Sequence, residues 1–533
     1  MRSLSSLLLL VAFAGLLALP APTRLAAQDL PPLPGTELPP LPGTEVPTPP
    51  GEPAGGDAAP PGSQTPAGDG PASGGDEGPP TSPHVPQPPT APKGDVAATT
   101  SADKGPNLQL PEGLTEAGKK QLEEAIAAWD KAYAALQCGR PESKTLAEAA
   151  IVKLNAARAV DGKCPLPDYY LGIAYQLTAE PELAIARLRD ATRKNPKFYE
   201  AFVELGDSFF YHSENKVADA EKAYDDAVRV GPEYAHGYKM RAAFRIARER
   251  FAEALVDYRR ALELKPGDVE TVMAIQQLAL AVEGPAWSKR YETESKNYII
   301  RTNVDQAFAD DVSKHAELIR RLYESIFPKP SRSKKKSVII VFATKAEYHR
   351  NGGPQGAGGH FNPLFKQLYL FKYAKDSDTK LVLYHEGFHQ FLDALEVEAP
   401  QWFNEGLADF FGPSEYVNER GTEGMRIRSN PWRLELVKRT IREGREIPFE
   451  RLMTMTQAEM YDPQVVSVAY AQAWSMCYFF AQADDRAHFE YLKDYFQALR
   501  KGKNLKQSYE SVFGKADMVA MQARWKTYIL GVQ

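Results

Sequence analysis

The sequence predicts a multidomain protein in which an all-α array of repeated helix pairs precedes an α+β domain, both behind a disordered N-terminal linker. Three observations predict this. Small and aromatic residues recur ahead of Pro196, Pro232 and Pro266, which lie 36 and then 34 residues apart, the period of a stacked helix pair. From about residue 298 onward, short apolar runs of strand length alternate with helical patterns. Ahead of both, residues 28–107 are rich in proline and glycine and hold no aromatic residue, so no core can form there.

Residues 1–27 carry Arg2, the apolar run Leu7 to Leu19 and a small-residue stretch ending Ala26-Ala27, the pattern of a secretory signal peptide cleaved after Ala27. The apolar run is too short to span a membrane comfortably, so the mature chain is expected to be exported, periplasmic or extracellular, with no stable membrane span. In the linker the octapeptide Leu-Pro-Pro-Leu-Pro-Gly-Thr-Glu occurs twice from Leu30, which suits an extended spacer. The net charge of −5 gives no nucleic-acid footprint, and the basic run Arg332 to Lys336 reads as a solvated loop. Of the three cysteines, Cys138 and Cys164 lie close enough in one helical region of an exported chain to allow a disulfide. Cys477 reads as a buried free thiol.

Residues 115–284 form the repeat region. Leu171-Gly172, Tyr175, Ala184, Leu188, Ala191 and Pro196 make one set, and Leu205-Gly206, Phe209, Ala220, Tyr224, Ala227 and Pro232 the next. Ala242, Ala254, Tyr258, Ala261 and Pro266 make a third, with Ala150, Leu154 and Ala157 a degenerate earlier copy. This is the tetratricopeptide pattern: small residues let paired helices approach while large ones fill the joints. Such arrays stack into a curved solenoid whose concave face takes a peptide or a protein partner.

Residues 286–533 form the second domain. Tyr298 to Asn303 reads as a strand, Val304 to Ile326 as a long amphipathic helix, and Ser337 to Phe342 and Gln367 to Phe371 as buried strands. Between the last two lies Gly352 to Phe361, a glycine-rich stretch expected to be a flap or a surface loop. Leu381 to Tyr384 then lead into His385-Glu386-Gly387-Phe388-His389, with Phe388, Phe391 and Leu392 continuing a buried stripe. Two histidines at i and i+4 on a helix share a face and can grip one metal ion. Pro400 breaks the chain, and a second helix from Gln401 carries Glu405 and, four residues on, Asp409. His385, His389 and Glu405 as ligands leave a position open for water on a zinc ion, the default metal for this donor set. Glu386, one residue round from His385, is the candidate general base, and Asp409 can accept a hydrogen bond from the non-ligating nitrogen of a ligand histidine.

H-E-G-F-H followed by P-Q-W-F-N-E-G-L-A-D-F-F resembles the gluzincin clan of zinc metallopeptidases, and its spacing is closest to a poorly characterised bacterial family of secreted gluzincin-like domains. The resemblance implies a zincin-like fold, Zn2+ bound by His385, His389 and Glu405, Glu386 as base, and hydrolysis of peptide bonds in a peptide or protein substrate. It also implies a Tyr or His facing the oxyanion. Val468 to Trp474 is similar to the segment that supplies this tyrosine, which points to Tyr470, with Tyr461 and His360 behind it. In the clan a strand before the zinc helix forms the sheet edge that pairs with substrate; Gly359 to Phe361, or Lys366 to Leu370, can supply it. The clan's aminopeptidase recognition element G-x-M-E-N is missing, which favours endopeptidase over aminopeptidase activity. The other reading is a non-catalytic binding or assembly protein whose helical array does the work beside a structural or lapsed zinc site.

Overall fold

A computed structural model describes residues 115–212, 216–330, 336–502 and 504–533. The signal peptide, the linker and most of the basic run at 332–336 lie outside the described residues.

The array comprises α1 (Glu116–Gln137), α2 (Ser143–Val160), α3 (Leu166–Leu177), α4 (Pro181–Lys194), α5 (Tyr199–His212), α6 (Val217–Val230), α7 (Ala235–Ala247), α8 (Phe251–Leu264) and α9 (Val269–Val282). Each packs on its successor, and the repeated small residues explain how. A Cβ on Gly172 would stand 2.4 Å from Leu188, and one on Gly206 2.7 Å from Tyr224, so each pair closes over a missing side chain. Ala150, Leu154 and Ala157 of α2 are buried like their counterparts in the later pairs. Buried carboxylates are matched with cations: Asp168 meets Arg158, Arg187 and Lys194, and Asp257 meets Arg241 and Arg245. Cys138 is exposed and Cys164 buried, and both are free thiols, so the disulfide allowed by the sequence is not formed. Cys477 is a buried free thiol, as expected.

An α+β domain follows. Its sheet contains β1 (Tyr291–Glu294), β2 (Tyr298–Thr302), β3 (Ser337–Phe342), β4 (Gly359–Asn362) and β5 (Gln367–Phe371) in the order β1-β2-β3-β5-β4. β2, β3 and β5 run parallel, while β1 and β4 are antiparallel edges. β5 is buried along its whole length, as its apolar run Leu368 to Phe371 suggests. It pairs on both sides, so Lys366 to Leu370 cannot be the free edge; β4 holds that place. The glycine-rich stretch is packed rather than flap-like. Gly353 lies against Tyr348 and Gly358 against Tyr373, too close for any side chain.

The helices are α10 (Gln306–Ile326), α11 (Lys345–Arg350), α12 (Asp376–Asp393), α13 (Gln401–Phe411), α14 (Pro431–Arg442), α15 (Phe449–Thr454), α16 (Gln457–Met460), α17 (Val466–Gln482), α18 (Phe489–Arg500), α19 (Leu505–Val512) and α20 (Met518–Gly531), with a β6 (Glu415–Glu419) and β7 (Thr422–Arg426) hairpin between α13 and α14. One apolar core runs from the sheet through α10, α12, α13 and α17 to Trp525 of α20. No described helix is long and apolar enough to cross a membrane.

Candidate metal centre

α12 and α13 carry the site. Asp376 and Asp378 sit in the first turn of α12, where the helix dipole favours negative charge. Val382, Leu383, Phe388, Phe391 and Leu392 bury its core face. α13 starts after Pro400 and lies so close to α17 that a Cβ on Gly406 would stand 2.7 Å from the Ala473 carbonyl oxygen.

His385 Nε2 and His389 Nε2 lie 3.2 Å apart, and Glu405 Oε2 lies 3.5 and 3.7 Å from them. All three ligand atoms fall within 4.8 Å of one another, and among the described residues no other set of His, Cys, Asp or Glu converges in this way. Glu405 Oε2 is buried and has no hydrogen-bond partner. A carboxylate oxygen buried beside two imidazole nitrogens needs a cation, which a protonated ring or a metal ion supplies. The donor set therefore fits a metal ion, and two imidazoles with one carboxylate fit zinc.

The surrounding groups fix each ligand. Asp409 Oδ1 lies 3.1 Å from His385 Nδ1, the contact expected from the sequence, and Arg433 Nε donates to Asp409 Oδ2 at 2.7 Å. Asn404 Oδ1 lies 2.9 Å from His389 Nδ1, which orients that ring so that Nε2 faces the site. The Tyr461 hydroxyl lies 3.1 Å from Gln401 Oε1 and 3.4 Å from Glu405 Oε1, which share its one proton. Glu386 Oε2 accepts from the backbone N–H of Phe361 on β4 at 3.1 Å. Sequence reasoning missed Asn404, Arg433 and the Phe361 amide; only Asn404, adjacent to Glu405, had a local signal.

Electrostatics follow from burial among charges. Desolvation lowers the His385 pKa, but the carboxylates of Asp409 and Glu405 beside the ring outweigh this and lift it to about 10. Burial raises the Glu386 carboxyl above its ordinary range against the pull of His385 and His389, making it a stronger base than a surface glutamate. Burial and the Glu405 charge keep the Tyr461 and Tyr470 phenols protonated.

Of the oxyanion candidates, Tyr470 is fully buried on α17, with the Arg433 guanidinium 5.3 Å over its ring. Tyr461 is partly open, and its ring centre lies 6.2 Å from that of Tyr470. His360 on β4 is committed elsewhere: Nδ1 lies 2.8 Å from the Tyr348 hydroxyl and the ring stacks on Tyr369. Burial holds that imidazole neutral, with a pKa of about 4.

Comparison with known proteins adds a family match over part of the chain. Residues 381–500, which hold every ligand, Glu386 and Tyr470, match the model of a family described as "Protein of unknown function (DUF1570)". A UDP-N-acetylglucosamine–peptide N-acetylglucosaminyltransferase of Giardia intestinalis is 31% identical over 106 residues, 20% of this chain. The match spans 7% of that transferase's length. Among solved structures, MamA from Desulfovibrio magneticus RS-1 covers 32% of this chain and 88% of its own, at 15% identity and a TM-score of 0.26. A thermophilic TPR protein of Thermus thermophilus covers 31% and 84%, at 18% identity and a TM-score of 0.25. The repeat architecture rests on the helix pairs themselves rather than on these superpositions.

Proposed function

We propose that this chain is an exported zinc-dependent metallopeptidase that hydrolyses peptide bonds with Glu386 as general base. The observation that carries this reading is the bare, buried Glu405 Oε2 facing two imidazole nitrogens, with the Glu386 carboxyl on the next position of the same helix as His385. His385, His389 and Glu405 would hold a zinc ion, which would supply Lewis-acid polarisation of the scissile carbonyl and acidify the attacking water. Asp409 and Asn404 hold the two imidazoles in the orientation that presents Nε2.

Glu386, raised in basicity by burial, takes a proton from the attacking water and returns it to the leaving amine. Its bond from the Phe361 amide ties one carboxylate oxygen to β4 and leaves the other for the proton. β4 is a sheet edge, so an extended peptide can add to it as a further strand beside Glu386. We read Tyr461, partly open beside Glu405, as a second candidate donor to the oxyanion next to buried Tyr470, its proton turning to the oxyanion from Gln401 and Glu405. The helical array takes the substrate or a partner protein.

The test is cleavage of casein or a peptide library by wild type and Glu386→Gln, both loaded with zinc. Cleavage by wild type with a loss of at least roughly a hundred-fold in the variant supports the reading. Bound zinc in both with cleavage by neither supports the non-catalytic reading instead.

A further inference from the structure

The turn between β4 and β5 does not end in solvent. Its tip residues Leu364 and Phe365 leave the α+β domain and pack into the last helix pairs of the array, among Ile246, Leu255 and Leu278. Phe365 meets Phe251 of α8 edge-on, with ring centres 5.1 Å apart. At the foot of the same turn, Gln367 Nε2 donates to the Ala281 carbonyl at the end of α9, at 2.8 Å.

The turn itself is stiff. Asn362 Oδ1 accepts from the amides of Leu364 and Phe365 at 3.0 and 3.2 Å, which ties the tip to the end of β4. One residue before Asn362, Phe361 gives its amide to Glu386. Between the array and the general base there is thus one short, hydrogen-bonded piece of chain.

We propose that Phe365 is a positioning residue, and that the array, through Phe251, holds β4 at the distance from α12 at which Glu386 is tied and the sheet edge is set for substrate. The proposal rests on the peptidase reading for its effect on rate, but not for its effect on β4. The array is then part of the catalytic apparatus rather than a tethered binding module, and a partner that deforms its last helix pairs changes turnover. A shift of about 1 Å in a reacting group can cost up to about a hundred-fold in rate, so loss of this anchor is expected to lower kcat roughly ten-fold.

The experiment uses the full chain as wild type, Phe251→Ala, Phe365→Ala, Phe365→Leu and the double alanine variant. It measures zinc content, hydrogen exchange of the 359–362 amides, and kcat and KM on a cleaved peptide. The proposal expects full zinc content, faster exchange at 359–362 in both alanine variants, and a kcat loss in each. It also expects the double variant to lose no more than the worse single one, and Phe365→Leu to recover most of the rate. Unchanged exchange at 359–362 in Phe251→Ala, whose substitution lies in the array, overturns it. So does unchanged kcat in an active enzyme. If wild type binds zinc and cleaves nothing, the peptidase reading fails alone, and the exchange measurement still decides the coupling. Should Phe365→Ala fail to fold, Phe251→Ala and Phe365→Leu carry the test.

Discussion

At the residue scale, the ligand set depends on neighbours that never touch the metal position. Arg433 bonds Asp409, which in turn orients His385. Asp409→Asn and Arg433→Met should each weaken zinc affinity by roughly ten- to a hundred-fold, as measured by competition with a chromogenic chelator. The elevated His385 pKa makes a second prediction. In the metal-free protein this group is protonated and paired with Asp409 and Glu405, and its folded value of about 10 lies above the ordinary 6.5. Its contribution to apo stability is complete below 6.5 and is lost as pH rises towards 10. Zinc requires the same ring deprotonated. The increase in Tm on adding zinc should therefore widen from pH 6.5 to pH 9, as followed by scanning calorimetry with and without metal. His385, Glu386 and His389 were legible because i, i+4 spacing puts them on one helix face, and Glu405 with Asp409 because they share a face of the helix that follows. Arg433 was not, because its reach to Asp409 depends on how α14 packs on α17.

At the element scale, α13, which carries Glu405, is seated against α17 by their close approach over Gly406. Gly406→Ala should push the helices apart, costing about 1–3 kcal/mol by overpacking, and lower Tm while reducing zinc occupancy. A Tm equal to that of wild type with full zinc would show that the gap tolerates a methyl group. Helices α10, α12 and α13 and strands β3 and β5 could be read from the sequence, since each is a run of the right period. Which strand is the edge could not, because strand order is a property of pairing and not of any one run. The β6–β7 hairpin went unread for a different reason. Its Arg420-Gly421 turn is left-handed at both residues, with φ of 53° and 84°, as a two-residue hairpin requires. The flanking strands Glu415–Glu419 and Thr422–Arg426 are polar and largely exposed, so they lack the apolar alternation that marks a strand.

At the scale of the whole molecule, the array and the α+β domain meet through Phe365 and Gln367. The repeats were legible from their prolines and small residues, but this contact was not. A turn that reads Asn-Pro-Leu-Phe-Lys looks like any exposed loop until the partner helices are present. Binding of a metal by groups from α12 and α13 ties two elements across the core, so chelation should lower the Tm of the α+β domain and leave the array's helices folded at the same temperature. Circular dichroism followed against limited proteolysis separates the two.

The central claim is that His385, His389 and Glu405 hold one zinc ion in the folded chain. The most direct measurement is metal content by plasma mass spectrometry, with X-ray absorption at the zinc edge on the same sample. One zinc per chain with two imidazole ligands and otherwise oxygen donors, lost in His389→Ala, is the predicted result. A correctly folded wild-type protein that holds no metal after incubation with zinc, or that binds it equally without His389, would contradict it.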